Sequence, residues 1–303
     1  MKTNELINSN AFKRDNQLFF DSFIECAKNH YERCEYFRFL IDQSQFKLDK
    51  SQYQDLASFP FINVDLLKRV DFYNPKYQPY VLNLTSSGTS GQKSQTYLDQ
   101  ESLDRVKKSA FNIYHELGVT SSKKYNYLCF TYDPYIANDL GTAFTDELLT
   151  SFTDKNEVYY AFKWNEDKKD FDFNRAETVE RLIEFSKSNY PLRILGFPAH
   201  LYFLIEEYNL NLKLPDDSWL LTGGGWKGFD KQKVEKIQFK ELVSERLGIL
   251  TVNQRDLFGM VEHGIAYLDD KNSKLRVSNY ARILIRDPYT LEVLPYGSKG
   301  LIQ

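Results

Sequence analysis

The feature that most constrains the fold is an alternation of short strand-like runs with helical patterns, which begins near Leu98. Strands and helices that alternate at this spacing form βαβ units, and such units build a parallel sheet covered by helices on both faces. The sequence therefore predicts an α/β fold with mostly parallel sheets flanked by helices. The strand-like runs are residues 125–131, 158–162, 192–197, 219–222 and 249–258, and the helical patterns cover 99–117, 139–150, 175–189, 198–209 and 230–247.

Regions of different pattern flank this α/β domain, which we place at residues 80–275. An N-terminal helical subdomain, 1–79, has apolar residues at helical spacing over 18–41, which predicts one long amphipathic helix. The segment 276–303 predicts a small C-terminal β-hairpin region. It ends on what resembles the start of another strand, so we expect the natural polypeptide to continue. Within the α/β domain, the charged segment 164–172 is typical of a solvated surface loop.

The composition is that of a folded protein rather than a disordered, membrane-spanning or nucleic-acid-binding one. Of the 303 residues, 42% are hydrophobic and 27% are charged, and the formal net charge is −3. Disorder needs fewer apolar residues, and nucleic-acid binding needs a basic excess. The sequence contains no run of about 18 uncharged apolar residues, as a membrane span requires. Its three cysteines form no C-x-x-C pair, which favours a cytoplasmic location.

The strongest chemical signal is the segment 80–98, where two strand-like runs flank a loop rich in serine, threonine and glycine. Small hydroxyl residues and glycines let a backbone approach a polyphosphate, and Lys93 adds a compact positive charge. The loop departs from the Walker A pattern, because Ser87 and Gln92 occupy its glycine positions and a strand follows. From these residues alone, the loop could bind phosphate or could be a plain hairpin turn. The candidate phosphate-binding residues are Thr85, Ser86, Ser87, Gly88, Thr89, Ser90 and Gly91.

A second signal is the segment 220–228, LLTGGGWKG, in which a predicted strand runs directly into Gly223, Gly224 and Gly225. Glycines at the carboxyl end of a strand let a flat ligand lie against the main chain, and this edge is where open α/β sheets bind ligands. A flexible loop is the alternative. The next residue, Trp226, could cover a bound nucleotide or be an ordinary surface aromatic.

A third signal is the segment 255–264, RDLFGMVEHG. Phe258, followed by Gly259, could stack on a base, and Glu262 could hold Mg²⁺ through a carboxylate oxygen. Core packing of the phenylalanine and an exposed glutamate are the alternatives. His200 follows a strand-to-helix turn at the edge where a substrate would lie, and it could equally be a polar residue of the first helical turn.

In their order and spacing, these three segments resemble the adenylate-forming enzymes, from about residue 80 to the end of the chain. The run 87–93, SGTSGQK, resembles their S-G-T-T-G-x-(P)-K phosphate loop, and 258–262, FGMVE, is similar to their Y-G-x-T-E motif. The run 287–297, DPYTLEVLPYG, is similar to their D-P-x-T-x-x-x-L-P-x-G hairpin. Further details, among them the proline-free loop and the ending KGLIQ, most resemble the LuxE-type acyl-protein synthetases.

The resemblance implies a reaction in two halves. ATP and a carboxylic acid, in LuxE-type enzymes a long-chain fatty acid, form an acyl-adenylate and pyrophosphate. A cysteine thiol of the enzyme then accepts the acyl group, which passes to an acyl reductase partner. Lys93 and Glu262 would be catalytic, with Mg²⁺ on Glu262, and Phe258 would stack on adenine beside the glycines 223–225. His200 and Trp226 are the candidate substrate residues.

The sequence departs from the family pattern at several positions. Phe258 replaces tyrosine and keeps the stacking face, whereas Val261 replaces a threonine whose hydroxyl faces the α-phosphate, which favours lower turnover. The resemblance places the ribose-binding aspartate, a late lysine and the acylated cysteine beyond Gln303. Two alternatives follow. One is an aryl- or acyl-CoA ligase with a soluble acceptor, and the other is a catalytically impaired nucleotide-binding module.

Overall fold

The structure, a computed structural model, describes most of the chain, and the described part divides into two compact units. The residues described are 1–70, 72, 79–86, 93–133, 147–226 and 228–303. Unit 1 comprises residues 1–116, 260–265 and 277–303, and unit 2 comprises 117–259 and 266–276. The division of the chain into subdomains at 79 and 275 stays a prediction.

The helices of the described residues are α1 (Lys2–Asn8), α2 (Asn16–Arg33), α3 (Glu35–Gln43), α4 (Gln100–Glu116), α5 (Arg175–Ser186), α6 (Pro198–Glu207) and α7 (Lys236–Leu247). The strands are β1 (Leu82–Thr85), β2 (Gln95–Leu98), β3 (Lys124–Tyr132), β4 (Asp154–Asn165), β5 (Asp170–Phe173), β6 (Leu192–Gly196), β7 (Trp219–Gly223), β8 (Gln254–Met260), β9 (His263–Leu268), β10 (Ile285–Arg286) and β11 (Leu301–Ile302). Within these residues, no helix is long and apolar enough to cross a membrane.

A seven-stranded sheet in the order β5-β4-β3-β6-β7-β8-β9 organises unit 2. The five strands β4, β3, β6, β7 and β8 are parallel to one another, and β5 pairs antiparallel with β4. A two-residue connection joins β8 to β9, which only an antiparallel hairpin allows. The predicted α/β class with a mostly parallel sheet is confirmed.

The core of unit 2 lies between one face of this sheet and the helices α5, α6 and α7. The inward-facing strand residues belong to the same apolar cluster as the helix residues. Ile194 on β6 and Leu204 on α6 are fully buried members of it. Strands of parallel sheets are covered on both faces, so their sequences are nearly continuous apolar runs. For this reason the strands could be predicted from the sequence.

The charged segment 164–172 is the end of a hairpin: residues 166–169 form the expected exposed turn, and the residues on either side of them belong to paired strands. Trp164 and Asn165 end β4 and pair with Phe171 and Asp170 of β5. An edge strand pairs on one side alone and faces solvent, so charged side chains suit it. The charged composition therefore predicts the turn but does not reveal the strand residues on either side of it.

The expected single helix over 18–41 is two helices, because the chain breaks at Cys34. This residue has an extended conformation, with φ −121° and ψ 112°. The Arg38 side chain donates to the carbonyl oxygens of Tyr31 and Glu32, at 3.0 and 2.9 Å. These are carbonyls at the end of α2 that the broken helix leaves without partners. Apolar spacing continues through the break, so periodicity alone predicts one helix.

Polar contacts attach the C-terminal segment of unit 1 to its first helices. The backbone N–H of Asn279 donates to the Ala11 carbonyl at 2.6 Å, and its side-chain oxygen accepts from the Asp15 N–H at 3.0 Å. The Tyr280 hydroxyl donates to the Ser9 carbonyl at 3.0 Å. The Arg282 guanidinium lies over the ring of Phe19, 4.0 Å from its centre. Further along, β10 and β11 pair antiparallel.

Candidate active site

The Ser/Thr/Gly loop connects the strands of the β1–β2 hairpin in unit 1. The two strands pair antiparallel from Leu82 with Leu98 to Thr85 with Gln95. Beyond this ladder, the Ser86 N–H donates to the Ser94 carbonyl at 3.1 Å, and the Ser94 N–H donates to the Ser86 hydroxyl at 2.9 Å. The candidates Ser87, Gly88, Thr89, Ser90 and Gly91 lie outside the described residues. Thr85 and Ser86 therefore fix where the loop leaves the hairpin.

Lys93 is exposed at the start of the returning strand, where it lines a cavity of about 160 Å³. Gln95 on β2 lines the same cavity. The rest of the lining comes from a segment that the sequence did not single out, residues 67–70, which includes Lys68 and Arg69. The structure thus adds two cations to the surroundings of the candidate catalytic lysine.

Glu262 lies at the tip of the β8–β9 hairpin, and this tip, residues 260–265, belongs to unit 1. It is half-buried, and among the described residues its side chain has no hydrogen-bond or ion-pair partner. Behind the tip, the Cβ position of Gly264 is 3.0 Å from a methyl group of Val106 on α4. The described residues contain no group of three or more histidine, cysteine or acidic side chains that could hold a metal.

In unit 2, the register of the sheet brings the glycines and the aromatic residue to one edge. Gly223, the last residue of β7, pairs with Leu257 on β8, so Phe258 and Gly259 directly follow its neighbour. Gly196, the last residue of β6, pairs with Thr222. The carboxyl ends of these parallel strands are therefore side by side, as expected for the ligand-binding edge of such a sheet.

Close backbone approach explains the glycines at this edge. A Cβ on Gly223 would lie 2.6 Å from Cδ1 of Leu257, and one on Gly196 would lie 2.8 Å from the Phe130 carbonyl oxygen. Gly224 and Gly225 have φ values of 72° and 68°, the left-handed region that glycine adopts most readily. The chain thus turns sharply out of β7 and leaves main-chain groups without side chains beside them.

The aromatic side chains at this edge differ in exposure. Phe258 is 47% exposed, and its ring centre lies 6.1 Å from that of Tyr267. Trp226 is only 7% exposed and packs against Tyr202, at 5.3 Å between ring centres, and Phe239. Phe258 therefore offers a free face to a planar ligand, whereas Trp226 is an anchor for the loop and not a surface aromatic.

A polar network that the sequence analysis missed supports this edge. Asp256, two residues before Phe258, accepts from the Thr222 hydroxyl and from the Lys236 ammonium, both at 3.2 Å. Lys236 also contacts the fully buried Asp269 at 2.7 Å. Burial lowers the pKa of Lys236, but the hydrogen bonds and charges of Asp269 and Asp256 raise it above its ordinary value. The sequence signal that was available is Asp256 itself, an acidic residue two positions before Phe258.

His200 lies in the first turn of α6 inside a cluster of aromatic rings. Phe162 and Phe173 are both 5.0 Å away between ring centres. Burial, and to a lesser extent the charge of Arg175, lowers the pKa of His200 to about 4. At neutral pH the imidazole is therefore uncharged. The other rings around it are those of Phe130, Phe197 and Phe229.

The strand order also shows where the sheet reverses direction. The chain passes from β3 to β4 on one side, and from β6 through β7 to β8 on the other. In doubly wound sheets, ligands bind in the crevice at such a reversal. Gly196 ends β6 at this position and His200 follows it in α6. The sequence pattern predicts His200 at the ligand-binding edge, and the strand order adds that this part of the edge is the reversal.

Comparison with known proteins decides the family. The model of the family "Acyl-protein synthetase, LuxE" matches residues 7–303. The chain belongs to this family. Because the match covers nearly the whole chain, the resemblance in the three motif segments extends to the N-terminal helices. The adenylate-forming resemblance predicted from the sequence is confirmed.

Two curated relatives are ligases of the same name from two bacteria. The chain is 26% identical over 222 residues to the long-chain-fatty-acid–luciferin-component ligase of Aliivibrio fischeri, which covers 72% of this chain and 56% of the relative. It is 26% identical over 255 residues to the ligase of the same name from Vibrio harveyi, covering 82% of this chain and 65% of the relative. The chain thus spans between about half and two thirds of the length of each.

A solved structure shares the fold. An open conformation of 2-hydroxyisobutyryl-CoA ligase, in complex with 2-HIB-AMP and CoA, superposes with a TM-score of 0.68. The match covers 97% of this chain and 62% of that one, at 12% sequence identity. At this identity the likeness establishes the fold, that of an adenylate-forming CoA ligase.

Proposed function

We propose that this LuxE-family chain uses ATP to convert a long-chain fatty acid, or another carboxylic acid, into an acyl-adenylate. The acyl group then passes to a cysteine thiol, which makes the protein an acyl-protein synthetase. The observation that carries the proposal is the pairing of Gly223 with Leu257, which sets a side-chain-free turn beside the exposed ring of Phe258. A purine needs such a combination of flat apolar contact and accessible main chain.

The nucleotide base would stack on Phe258 and lie against the main chain of Gly223, Gly224 and Gly225. Stacking of aromatic rings contributes roughly 0.5–1.5 kcal/mol beyond the area that it buries. Phe258 has the exposed face that this requires. The network of Thr222, Asp256 and Lys236 would hold both strands in place, since it ties the residue before the glycines to the strand that carries the ring.

The phosphates would be bound by the loop from Thr85 to Gly91 and by Lys93. Main-chain N–H groups and hydroxyls donate to phosphate oxygens, and a lysine neutralises charge on the leaving pyrophosphate. Glu262 fits Mg²⁺, because this ion commonly takes one or two protein carboxylates together with substrate phosphates. Mg²⁺ bound there would neutralise phosphate charge.

The acid would lie near the reversal of the sheet, where His200 and its surrounding rings form an apolar wall. The neutral imidazole suits this place, because it adds a polar atom without a second positive charge. A carboxylate close by could then accept a hydrogen bond while its hydrocarbon part contacts the phenylalanines. Trp226 would act on the nucleotide or acid through the loop that it anchors.

The primary test is exchange of labelled pyrophosphate into ATP, which requires a reversible adenylate. We expect exchange that depends on a long-chain fatty acid, and a loss of at least tenfold in Lys93→Ala and in Glu262→Gln. Glu245→Gln, on α7 in unit 2, is a matched control that should leave exchange unchanged. Absence of exchange with fatty, short-chain and aryl acids alike would reject the proposal.

A second measurement identifies the acceptor. Acyl label that stays on the protein and is released by hydroxylamine indicates a thioester on cysteine. Label that appears instead on coenzyme A would favour the CoA-ligase alternative. Label transfer to an added fatty acyl reductase would support the proposed partner.

A further inference from the structure

The cavity beside Lys93 joins two segments that are distant in the sequence. Residues 67–70, at the end of the 3₁₀ turn Leu66–Lys68, form one side, and Lys93 and Gln95 form the other. Its volume of about 160 Å³ is roughly ten times the ~10–15 Å³ that one ordered water molecule needs. The cavity therefore has room for a phosphoryl group.

The charges that line this cavity are unbalanced. Lys68 contacts the Asp65 carboxylate at 2.9 Å, and Asp65 itself is 70% exposed. Within the described part of the chain, the side chains of Arg69 and Lys93 have no hydrogen-bond or ion-pair partner. Among the described residues, these three cations share one carboxylate, so two of their positive charges are not balanced. Like charges held this close repel each other, and a bound anion removes that repulsion.

The remaining polar group of the lining is also a donor. The amide oxygen of Gln95 accepts from the Asn83 amide at 3.2 Å and from the Tyr97 hydroxyl at 2.7 Å. Two donors on this oxygen leave the NH₂ group of Gln95 to donate elsewhere. The lining residues Leu67, Lys68, Arg69, Val70, Lys93 and Gln95 include no carboxylate. The site is therefore built for an oxyanion with several acceptor atoms and at least two charges.

We propose that this cavity binds the pyrophosphate end of the nucleotide, so that Lys68 and Arg69 are phosphate-binding residues in addition to Lys93 and the Ser/Thr/Gly loop. This inference rests on the proposed function, because it assigns the cavity to the ATP of that reaction. Arg69 can bind two oxygens of one phosphate through its planar guanidinium, and Lys68 acts as a point charge. Both would stabilise the charge that develops on the leaving pyrophosphate.

The test measures binding of inorganic pyrophosphate to the full chain by calorimetry. We expect Lys68→Met and Arg69→Met each to raise the Kd about tenfold, and the double variant to raise it about a hundredfold. Arg69→Lys should recover part of the affinity, since it restores the charge without the fork. Lys107→Met is the control, because this exposed lysine lies on α4 of the same unit and does not line the cavity. Circular dichroism checks that each variant is folded.

Three outcomes separate this inference from the proposed function. An unchanged Kd in both single variants, in a protein that exchanges pyrophosphate normally, overturns the cavity assignment alone. Weaker binding in the variants, in a protein that exchanges with no acid, supports the cavity and rejects the adenylation reaction. Inorganic phosphate that binds as tightly as pyrophosphate, with the same dependence on Arg69, would indicate a free-phosphate site and overturn the assignment to the nucleotide.

Discussion

The two units of the chain are held together in different ways. Unit 2 is almost continuous in sequence, and its sheet and helices share one buried apolar cluster. Unit 1 is assembled from three stretches, and polar contacts join its last stretch to its first helices. Unit 2 offers main chain and rings to a ligand, whereas unit 1 offers charged side chains. The comparison indicates that candidate binding residues can be positioned in two ways. In unit 2 a buried apolar core positions them, and in unit 1 hydrogen bonds between distant stretches contribute.

The largest effect should come from the apolar core of unit 2. Leu204→Ala removes a fully buried side chain on α6 and leaves a cavity, which should lower the free energy of unfolding by about 4 kcal/mol. Urea denaturation measures this value. Leu250→Ala, at a position 66% exposed, is the control and should change it by less than about 0.5 kcal/mol. Equal effects of the two changes would mean that the cluster does not stabilise unit 2.

A smaller loss in the free energy of unfolding is expected from the buried ion pairs of Asp269 in unit 2. Lys236→Met removes the nearer of the two ammonium groups around Asp269, which is fully buried, and leaves Lys240 at 3.9 Å. An under-compensated buried carboxylate should cost about 3 kcal/mol in urea denaturation. Lys123→Met, which breaks the exposed ion pair with Asp217, should lower the free energy of unfolding far less, because solvent screens that pair. A similar small cost for both variants would show that the Asp269 network is not structural.

The aromatic cluster around His200 should make unit 2 sensitive to acid. The folded-state pKa of about 4 lies below the ordinary 6.5, so the unfolded chain is protonated first as the pH falls. Stability from this residue is therefore complete above pH 6.5 and is lost between 6.5 and 4. Allowing for partial exposure of the ring, the loss should reach about 2 kcal/mol.

His200→Phe keeps an aromatic ring and removes the titration. The difference in unfolding free energy between pH 7.5 and 4.5 should therefore be smaller in the variant by that amount. The wild type is the reference, because other histidines contribute equally to both proteins. If the two proteins lose the same stability between these pH values, the buried neutral imidazole is not the cause.

The smallest effect should come from the polar attachment in unit 1. Asn279→Leu keeps the size of a buried side chain and removes the acceptor for the Asp15 N–H, which should cost about 1–2 kcal/mol. Hydrogen exchange should show faster opening in α2 than in α7. Asn4→Leu, at an exposed position on α1, should cost less than about 0.5 kcal/mol. A stabilised Asn279→Leu would mean that unit 1, like unit 2, depends mainly on apolar packing.

The two units also differ in how well their structure could be predicted from the sequence, because one depends on apolar periodicity and the other on contacts between distant stretches. In unit 2 the strands from β3 to β8 lie close to the expected positions, apart from β5 in the charged segment 164–172. In unit 1 the long predicted helix breaks at Cys34, and Arg38 donates to the carbonyls that the break leaves without partners. Apolar periodicity does not encode such a contact between a side chain and carbonyls six and seven residues away.

The candidate site shows the same division. The segments containing Gly223 and Phe258 could be identified, and their adjacency follows from parallel pairing. By contrast, Lys68 and Arg69 belong to no motif, and their role depends on where the chain places them relative to Lys93. Roles for the loop residues 87–91, for Glu262 and for Trp226 stay predictions.

Local chemistry was readable from the amino acids alone: the α/β class, the family, and the residue types suited to phosphate and base. These properties depend on periodicity, small residues and charge over a few positions. The position of His200 at the reversal of the sheet, the burial of Trp226 and the unbalanced charge around Arg69 arose from folding. Each depends on contacts between residues far apart in the chain, and the free energy of such contacts is set by burial and distance rather than by neighbouring sequence.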